Sequence, residues 1–168
     1  MRYDMLIDSY QNRLRHYSLE QLRFSAAQGV WSLCQLYDHL ILAALDYMDK
    51  VAACATAQED QPLGKTEAGE ALFEQGGFPP IKIKLPDGPE NNPSNTESVE
   101  ALMQRLEQVR HNMSEWEVRL HAINPNCKVL HDGFGWLNAQ EWFELAGMHF
   151  RHHLRQKDEL ERYARVKD

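Results

Sequence analysis

The fold of this chain is decided by residues 138–166, NAQEWFELAGMHFRHHLRQKDELERYARV. Asn138 can cap the N-terminus of a helix, and Glu141, three residues later, completes a capping-box pattern. Leu137 and Trp142 have the spacing of a hydrophobic staple across the first turn. Lysines and arginines crowd the last turns, where the helix dipole favours cations. We therefore expect one long helix over this stretch.

Histidines occupy positions on this helix where a buried face normally carries leucine. Two heptad tracks run along it: Trp142, His149, Gln156 and Tyr163 on one, and Ala146, His153 and Leu160 on the other. Because residues four apart lie on the same face of a helix, His149 and His153 can present ring nitrogens to one point. Two neutral imidazoles at that spacing suit a transition metal. The same spacing also arises by chance in core or interface histidines.

His152 competes with His153 as the partner of His149, since His149 and His152 also lie within one turn of each other. We favour His153, because Ala146 and Leu160 lie one heptad to either side of it. His152 instead lies near a charged flank: Arg151, Arg155 and Glu159.

Length and charge limit the function classes. The 168 residues suffice for one domain with a substantial core but not for two ordinary ones, so we expect a single domain over 1–168. Apolar residues make up 43% of the chain and charged residues 26%, as in soluble globular proteins. The net charge of −7 and the lack of a basic stripe argue against binding nucleic acid or an anionic membrane.

The sequence also predicts the cellular location of the protein and the oxidation state of its cysteines. The N-terminus turns polar too early for a secretory signal, and the longest apolar run, residues 40–45, is far shorter than the roughly 20 residues of a membrane span. We therefore expect a cytoplasmic protein. The odd set of Cys34, Cys54 and Cys127 contains no C-x-x-C pair, so we expect buried thiols rather than disulfides or a cysteine zinc site.

Capping patterns mark the helices of the first third of the chain. Residues 3–17 form a first helix, with apolar residues at helical spacing: Leu6, Tyr10, Leu14 and Tyr17. Capping-box pairs then start a short extra turn and a second long helix: Ser18 with Gln21, and Ser32 with Gln35. This second helix, over 31–55, is apolar on almost every side between Leu40 and Leu45, which predicts burial on more than one face.

Residues 58–95 break the helical pattern with recurring prolines and glycines, so no long helix can run there. Within them, residues 81–85 alternate apolar residues with lysines and can form a short strand that pairs with residues 127–130. A connection this long either roofs a pocket or simply joins distant helices.

A third long helix begins at or near Thr96. Its sustained apolar stripe predicts a core face: Val99, Leu102, Met103, Leu106, Val109, Met113, Trp116 and Leu120. Four long helices with one long crossover between the second and third predict an all-α four-helix bundle, with a possible small two-stranded β element.

A metal site can form where the second and fourth helices face each other. His39 lies near the start of the second helix, where a lone histidine is more often a hydrogen-bonded core residue than a ligand. If His39 meets His149 and His153, three neutral imidazoles close one side of a metal and leave the other positions open. That is the ligand count of catalytic rather than structural zinc sites. A purely structural role for the three histidines is the alternative.

Two stretches carry a resemblance to a known family: Trp31-Ser-x-x-Gln-x-x-Asp-His39-Leu, and Phe134-Gly-x-Leu-x-x-x-Glu-Trp142 followed by His149-Phe-Arg-His-His153-Leu-Arg-Gln156. Together they resemble the DinB-like family of metal-binding four-helix bundles. The resemblance implies that His39, His149 and His153 bind a divalent metal such as nickel or zinc. It also implies a homodimer.

The same resemblance implies an activity on a small-molecule substrate. Better-understood relatives are thiol S-transferases that use bacillithiol or mycothiol, and an isomerase that uses mycothiol. A metal would then bind and deprotonate a low-molecular-weight thiol cosubstrate, since coordination ionises a thiol and the thiolate is the nucleophile. Activation of water for hydrolysis is the alternative. Spacing fixes no general base among the nearby carboxylates: Asp38, Asp46, Glu141 and Glu144.

A different class of function remains open. A non-catalytic bundle that binds a metal or small ligand, or mediates a stress-response interaction, would carry the same histidines. DNA repair, which the family name suggests, is not supported because the chain is acidic.

Overall fold

The structure, a computed structural model, describes residues 2–79 and 88–168. Its helices are α1 (Tyr3–Leu14), α2 (Leu19–Arg23), α3 (Leu33–Thr56), α4 (Glu67–Gln75), α5 (Val99–Glu117), α6 (Ala139–His152) and α7 (Leu154–Tyr163). Two strands, β1 (Lys128–His131) and β2 (Gly135–Asn138), and two 3-10 turns, Pro89–Asn91 and Leu120–Ala122, complete the described elements. The predicted all-α bundle with a small two-stranded β element is confirmed.

Four long helical segments pack around one core. Helix α3 packs against α5 and α6, and α1 packs against the same two helices, so α1 and α3 face each other across the bundle. Between α1 and α3, the buried Tyr37 hydroxyl donates to the carbonyl of Tyr10 at 2.7 Å. The apolar stripes predicted for the first and third helices lie largely in this core.

The helix starts follow local sequence signals. All three predicted capping boxes are confirmed: Ser18 with Gln21, Ser32 with Gln35, and Asn138 with Glu141. In each pair the cap side chain accepts a backbone N–H, while the second side chain accepts the N–H of the cap residue. Helix α5 begins at Val99 with Ser98, a polar neighbour of Thr96, as its cap, which agrees with the expected start at or near Thr96.

The last helix is broken, which corrects the expectation of one continuous helix. Helix α6 ends at His152, His153 adopts φ −87° and ψ −1°, and α7 starts at Leu154. In an unbroken helix the carbonyl of Phe150 would accept from the N–H of Leu154. It accepts instead the hydroxyl of Tyr10, at 2.6 Å. A side chain that inserts into the backbone ladder in this way bends a helix.

The crossover contains no long helix among its described residues, as predicted, but it does carry the nine-residue α4. Thr66 caps α4, and Gly76, at φ 76°, ends it. The sequence carried both signals, a threonine before the helix and a glycine after it.

A β-hairpin covers one end of the bundle. Strands β1 and β2 pair antiparallel, with Val129 opposite Leu137. The expected partner of residues 127–130 was the segment 81–85, which lies outside the described residues; the partner of β1 in the structure is β2. The crossover lies against this hairpin, because the N–H of Thr66 donates to the carbonyl of Phe134 at 2.9 Å.

Cys34, Cys54 and Cys127 are buried free thiols, as expected. Within residues 2–79 and 88–168, the helices are either too short or too polar to cross a membrane.

Candidate metal centre

The structure brings together the three histidines that the sequence singled out. His39 lies in the second turn of α3, His149 lies in α6, and His153 lies at the joint between α6 and α7. Because α3 and α6 pack side by side, one ring nitrogen of each histidine falls within 4.8 Å of the others. We call these three residues the histidine centre. His152 is outside it, and its ring packs against Phe78.

The spacing of the ring nitrogens suits a metal ion. The Nε2 atom of His149 lies 3.1 Å from the Nε2 atoms of both His39 and His153. A metal about 2.0–2.1 Å from two imidazole nitrogens in tetrahedral geometry would hold those nitrogens about 3.3 Å apart. The histidine centre therefore has the dimensions of a divalent-metal site.

Hydrogen bonds on the far side of two rings fix their tautomers. His39 Nδ1 contacts the backbone carbonyl of Glu90, and His153 Nδ1 lies 2.8 Å from Gln156 Oε1. Both partners are oxygens that only accept, so both Nδ1 atoms carry hydrogen and both Nε2 atoms keep a lone pair. Ligand histidines in metal proteins are oriented by bonds of this kind.

These tautomers create a conflict that a cation would remove. His149 Nε2 carries at most one hydrogen, so it cannot donate to both His39 and His153. With hydrogen on His149 Nε2, one of the two 3.1 Å contacts has no hydrogen of its own; with hydrogen on Nδ1, both contacts bring lone pairs together. A positive charge between the three atoms removes the conflict in the second case. The donor set fits a bound metal better than it fits a self-contained hydrogen-bond network.

Burial keeps the imidazoles neutral, as metal binding requires. His149 is only 4% exposed, and its burial, together with the neighbouring imidazoles of His153 and His39, holds its pKa well below the usual value. Burial and the ring of His39 lower the pKa of His153 to about 4. Burial also lowers the pKa of His39, although the carbonyl of Glu90 opposes this shift.

Aromatic side chains surround the histidine centre. The ring of Trp31 lies 4.9 Å from that of His39, and the rings of Tyr47 and Phe78 lie 5.9 and 6.0 Å from that of His149. A cavity of about 260 Å³, which we call the cleft, opens beside His39 and His149. A small molecule in the cleft would lie next to the imidazoles.

The structure distinguishes among the four carboxylates that sequence spacing could not assign as a general base. Asp38 is buried against Arg105, with Nη1 at 2.6 Å, and Glu141 caps α6 while it pairs with Lys65. Glu144 accepts from the amide of Gln140, on the same helix, at 3.0 Å. Asp46 is the member of this set that lines the cleft, and burial raises its pKa.

Sequence reasoning missed several groups around the centre. The backbone carbonyl of Glu90 could not be predicted, because residue type does not show where a carbonyl points. Phe78 follows a glycine pair in the crossover, where no hydrophobic periodicity predicts which residues are buried. His131, the last residue of β1, lines the cleft together with Trp142. Its position directly before Asp132 and Gly133 did indicate a hairpin turn.

The fold and the site together define a class of protein: a helical bundle with convergent histidines between its helices and a cleft beside them. The family comparison agrees. The model of the DinB superfamily matches residues 2–156, so the chain belongs to the DinB superfamily, which confirms the sequence resemblance. Neither the curated proteins nor the solved structures gave a match to this chain.

Proposed function

We propose that this protein is a metal-dependent enzyme whose histidine centre holds one divalent cation, nickel or zinc. The observation that carries the proposal is the pair of 3.1 Å contacts from His149 Nε2 to the Nε2 atoms of His39 and His153. The tautomers of His39 and His153 are fixed by hydrogen bonds at their Nδ1 atoms. When bound there, the cation would supply positive charge that lowers the pKa of a thiol or a water molecule beside it.

The reaction that we favour is transfer of a low-molecular-weight thiol to an electrophilic small molecule, with hydrolysis as the alternative. Asp46 would accept the proton released from the thiol, because it lines the cleft and burial raises its pKa towards the range of a useful base. Trp31, Tyr47 and Phe78 would keep bulk water from the imidazole edges. Membership of the DinB superfamily supports this class of reaction.

A non-catalytic metal-binding or ligand-binding protein is the second candidate. Such a protein would use the same histidines and cleft, so a measurement of turnover distinguishes it from an enzyme. We further propose, from the family resemblance, that the protein is a homodimer, which light scattering on the purified protein tests. From its polar N-terminus and short apolar runs we also propose a cytoplasmic location.

Elemental analysis of tag-free protein tests the proposed metal. We expect about one nickel or zinc ion per chain, and its loss in the variant with His39, His149 and His153 all changed to alanine. The matched control is His152→Ala, which should keep the metal. Thiols are then screened with electrophiles. Turnover that survives complete removal of metal would overturn the enzyme proposal, and bound metal without turnover would favour the second candidate.

A further inference from the structure

One residue that lines the cleft has an unpaired hydrogen-bond donor. The indole of Trp142 is 2% exposed and lines the cleft. Its Nε1 is the one buried side-chain nitrogen or oxygen without a hydrogen-bond partner in the described part of the chain. A buried donor left unpaired is costly, and native proteins rarely keep one without a function.

His131 adds a second donor to the lining of the cleft. Its Nδ1 accepts the backbone N–H of Gly133 at 3.0 Å and that of Phe134 at 3.1 Å. An Nδ1 atom that accepts cannot carry hydrogen, so the hydrogen of the neutral ring is on Nε2. The ring of His131 lies 5.3 Å from that of Trp142, and both residues line the cleft.

Tyr47 is the third member. Its ring lies 5.9 Å from that of Trp142 and 5.9 Å from that of His149, so it joins Trp142 to the histidine centre. Tyr47 is also among the residues that line the cleft. We call Tyr47, His131 and Trp142 the donor wall.

The charges around the cleft select the acceptor. Three carboxylates line it: Asp46, Glu90 and Asp132. One ammonium also lines it, that of Lys50, and it is already paired with Asp46 at 3.7 Å. Three carboxylates against one ammonium leave two negative charges, and the proposed divalent cation would only offset them. The cleft therefore offers no excess positive charge to a carboxylate or a phosphate, whereas an uncharged carbonyl oxygen accepts hydrogen bonds without bringing a charge.

We propose that the donor wall binds the carbonyl oxygen of an uncharged amide or ester group of the substrate, and holds that group beside the histidine centre. The donors Trp142 Nε1 and His131 Nε2 are the atoms that recognise the oxygen. That the carbonyl belongs to a thiol cosubstrate rests on the proposed function. The carbonyl subsite itself rests only on the two donors.

Two thiols of similar size test the subsite on the zinc-loaded protein, because zinc is diamagnetic and leaves nearby N–H signals observable. N-acetylcysteamine carries an amide carbonyl, and 2-ethoxyethanethiol does not. In protein labelled with ¹⁵N in its tryptophans, we expect the Trp142 indole N–H signal, assigned with Trp142→Phe, to shift on addition of N-acetylcysteamine only. Trp142→Phe should weaken N-acetylcysteamine binding about threefold to tenfold, the effect of one lost neutral hydrogen bond. Binding of 2-ethoxyethanethiol should stay unchanged.

Trp136→Phe is the matched control, since Trp136 lies in β2 and is not among the residues that line the cleft. A Trp142 indole signal that does not shift when N-acetylcysteamine binds would overturn the inference. So would an equal loss of affinity for both thiols in Trp142→Phe.

A metal-free arm separates this inference from the proposed function. N-ethylacetamide, an amide without a thiol, is titrated into wild-type protein stripped of metal. A saturable shift of the Trp142 indole signal there supports the subsite even if no thiol binds in a metal-dependent way, which would count against the proposed function alone. No shift with N-ethylacetamide at any concentration up to its solubility would count against the subsite alone.

Discussion

The Nε2 atoms of His39 and His149 lie 3.1 Å apart, although 110 positions separate the two residues in sequence. The contact joins α3 to α6 through a single pair of ring atoms in the bundle interior. A cation placed there would tie the first half of the chain to the last, so metal binding and folding are expected to be coupled.

Removal of metal should therefore lower the melting temperature. With free metal at about 100 times its dissociation constant, binding adds about 2.7 kcal/mol, which corresponds to about 5–10 °C for a chain of this length. Differential scanning calorimetry with metal and with chelator measures the difference. The variant that lacks all three histidines of the centre serves as the control and should melt at one temperature under both conditions. Identical melting of the wild type with metal and with chelator would contradict the coupling.

The choice of ligands is tested by two single substitutions. His39→Ala removes a ligand and should weaken metal binding by more than about 100-fold, since even changes in the surrounding shell cost about 10–100-fold. His152→Ala, whose ring packs on Phe78, should change the affinity less than about threefold. Competition with a chromogenic chelator gives both values. Equal losses, or a larger loss in His152→Ala, would show that the wrong histidine had been assigned.

The bond from His153 Nδ1 to Gln156 makes a separate prediction. Gln156→Ala should weaken metal binding about tenfold, because the ring of His153 loses the acceptor that orients it. Gln156→Glu keeps an acceptor and should retain most of the affinity. Gln140→Ala removes another helical glutamine, one that bonds to Glu144, and should have no effect on metal. A wild-type affinity in Gln156→Ala would mean that packing alone orients the ring.

Acid should destabilise the metal-free protein through His153. Burial lowers the pKa of this histidine to about 4 in the folded state, whereas an unfolded histidine titrates near 6.5. Between those values the unfolded state binds more protons, so the free energy of unfolding falls as the pH drops from about 6.5 to about 4, by a few kcal/mol. Urea unfolding at several pH values measures this slope. His153→Gln should flatten it, and His111→Gln, which changes an exposed histidine, should not; equal slopes in wild type and His153→Gln would refute the assignment.

The break between α6 and α7 depends on the hydroxyl of Tyr10. Tyr10→Phe leaves the ring in the core but removes the donor to the carbonyl of Phe150, which should lower the free energy of unfolding by about 1 kcal/mol. Tyr163→Phe removes an exposed hydroxyl that bonds to Glu159 and should be near neutral. Urea unfolding compares the two variants. A Tyr10→Phe variant as stable as the wild type would mean that the hydroxyl is not needed for the break.

Sequence reasoning succeeded where the deciding interactions are local. The capping box of Asn138 and Glu141 spans three residues, so the start of α6 could be predicted from neighbours alone. The break at His153 could not, because it depends on Tyr10, 140 positions from the carbonyl that it contacts.

The histidine centre shows the same division. The pairing of His149 with His153 follows from helical spacing, whereas the approach of His39 required the packing of α3 on α6. Periodicity could not orient His39, since nearly every direction around it is apolar; the bundle layout made it a candidate, and the family resemblance implied that it is a ligand. The tautomer of His131 depends on two backbone amides of its own turn, which no residue pattern reveals.

The carbonyl of Glu90 that orients His39 belongs to the 3-10 turn Pro89–Asn91, outside the long helices of the bundle. One histidine of the centre is thus oriented by the crossover, while the helical segments supply the rings themselves. The helices that form the bundle and the turn that orients His39 are therefore separate segments of the chain. Exchange of the crossover between related bundles would change the group that holds the His39 ring, with the four helices left as they are.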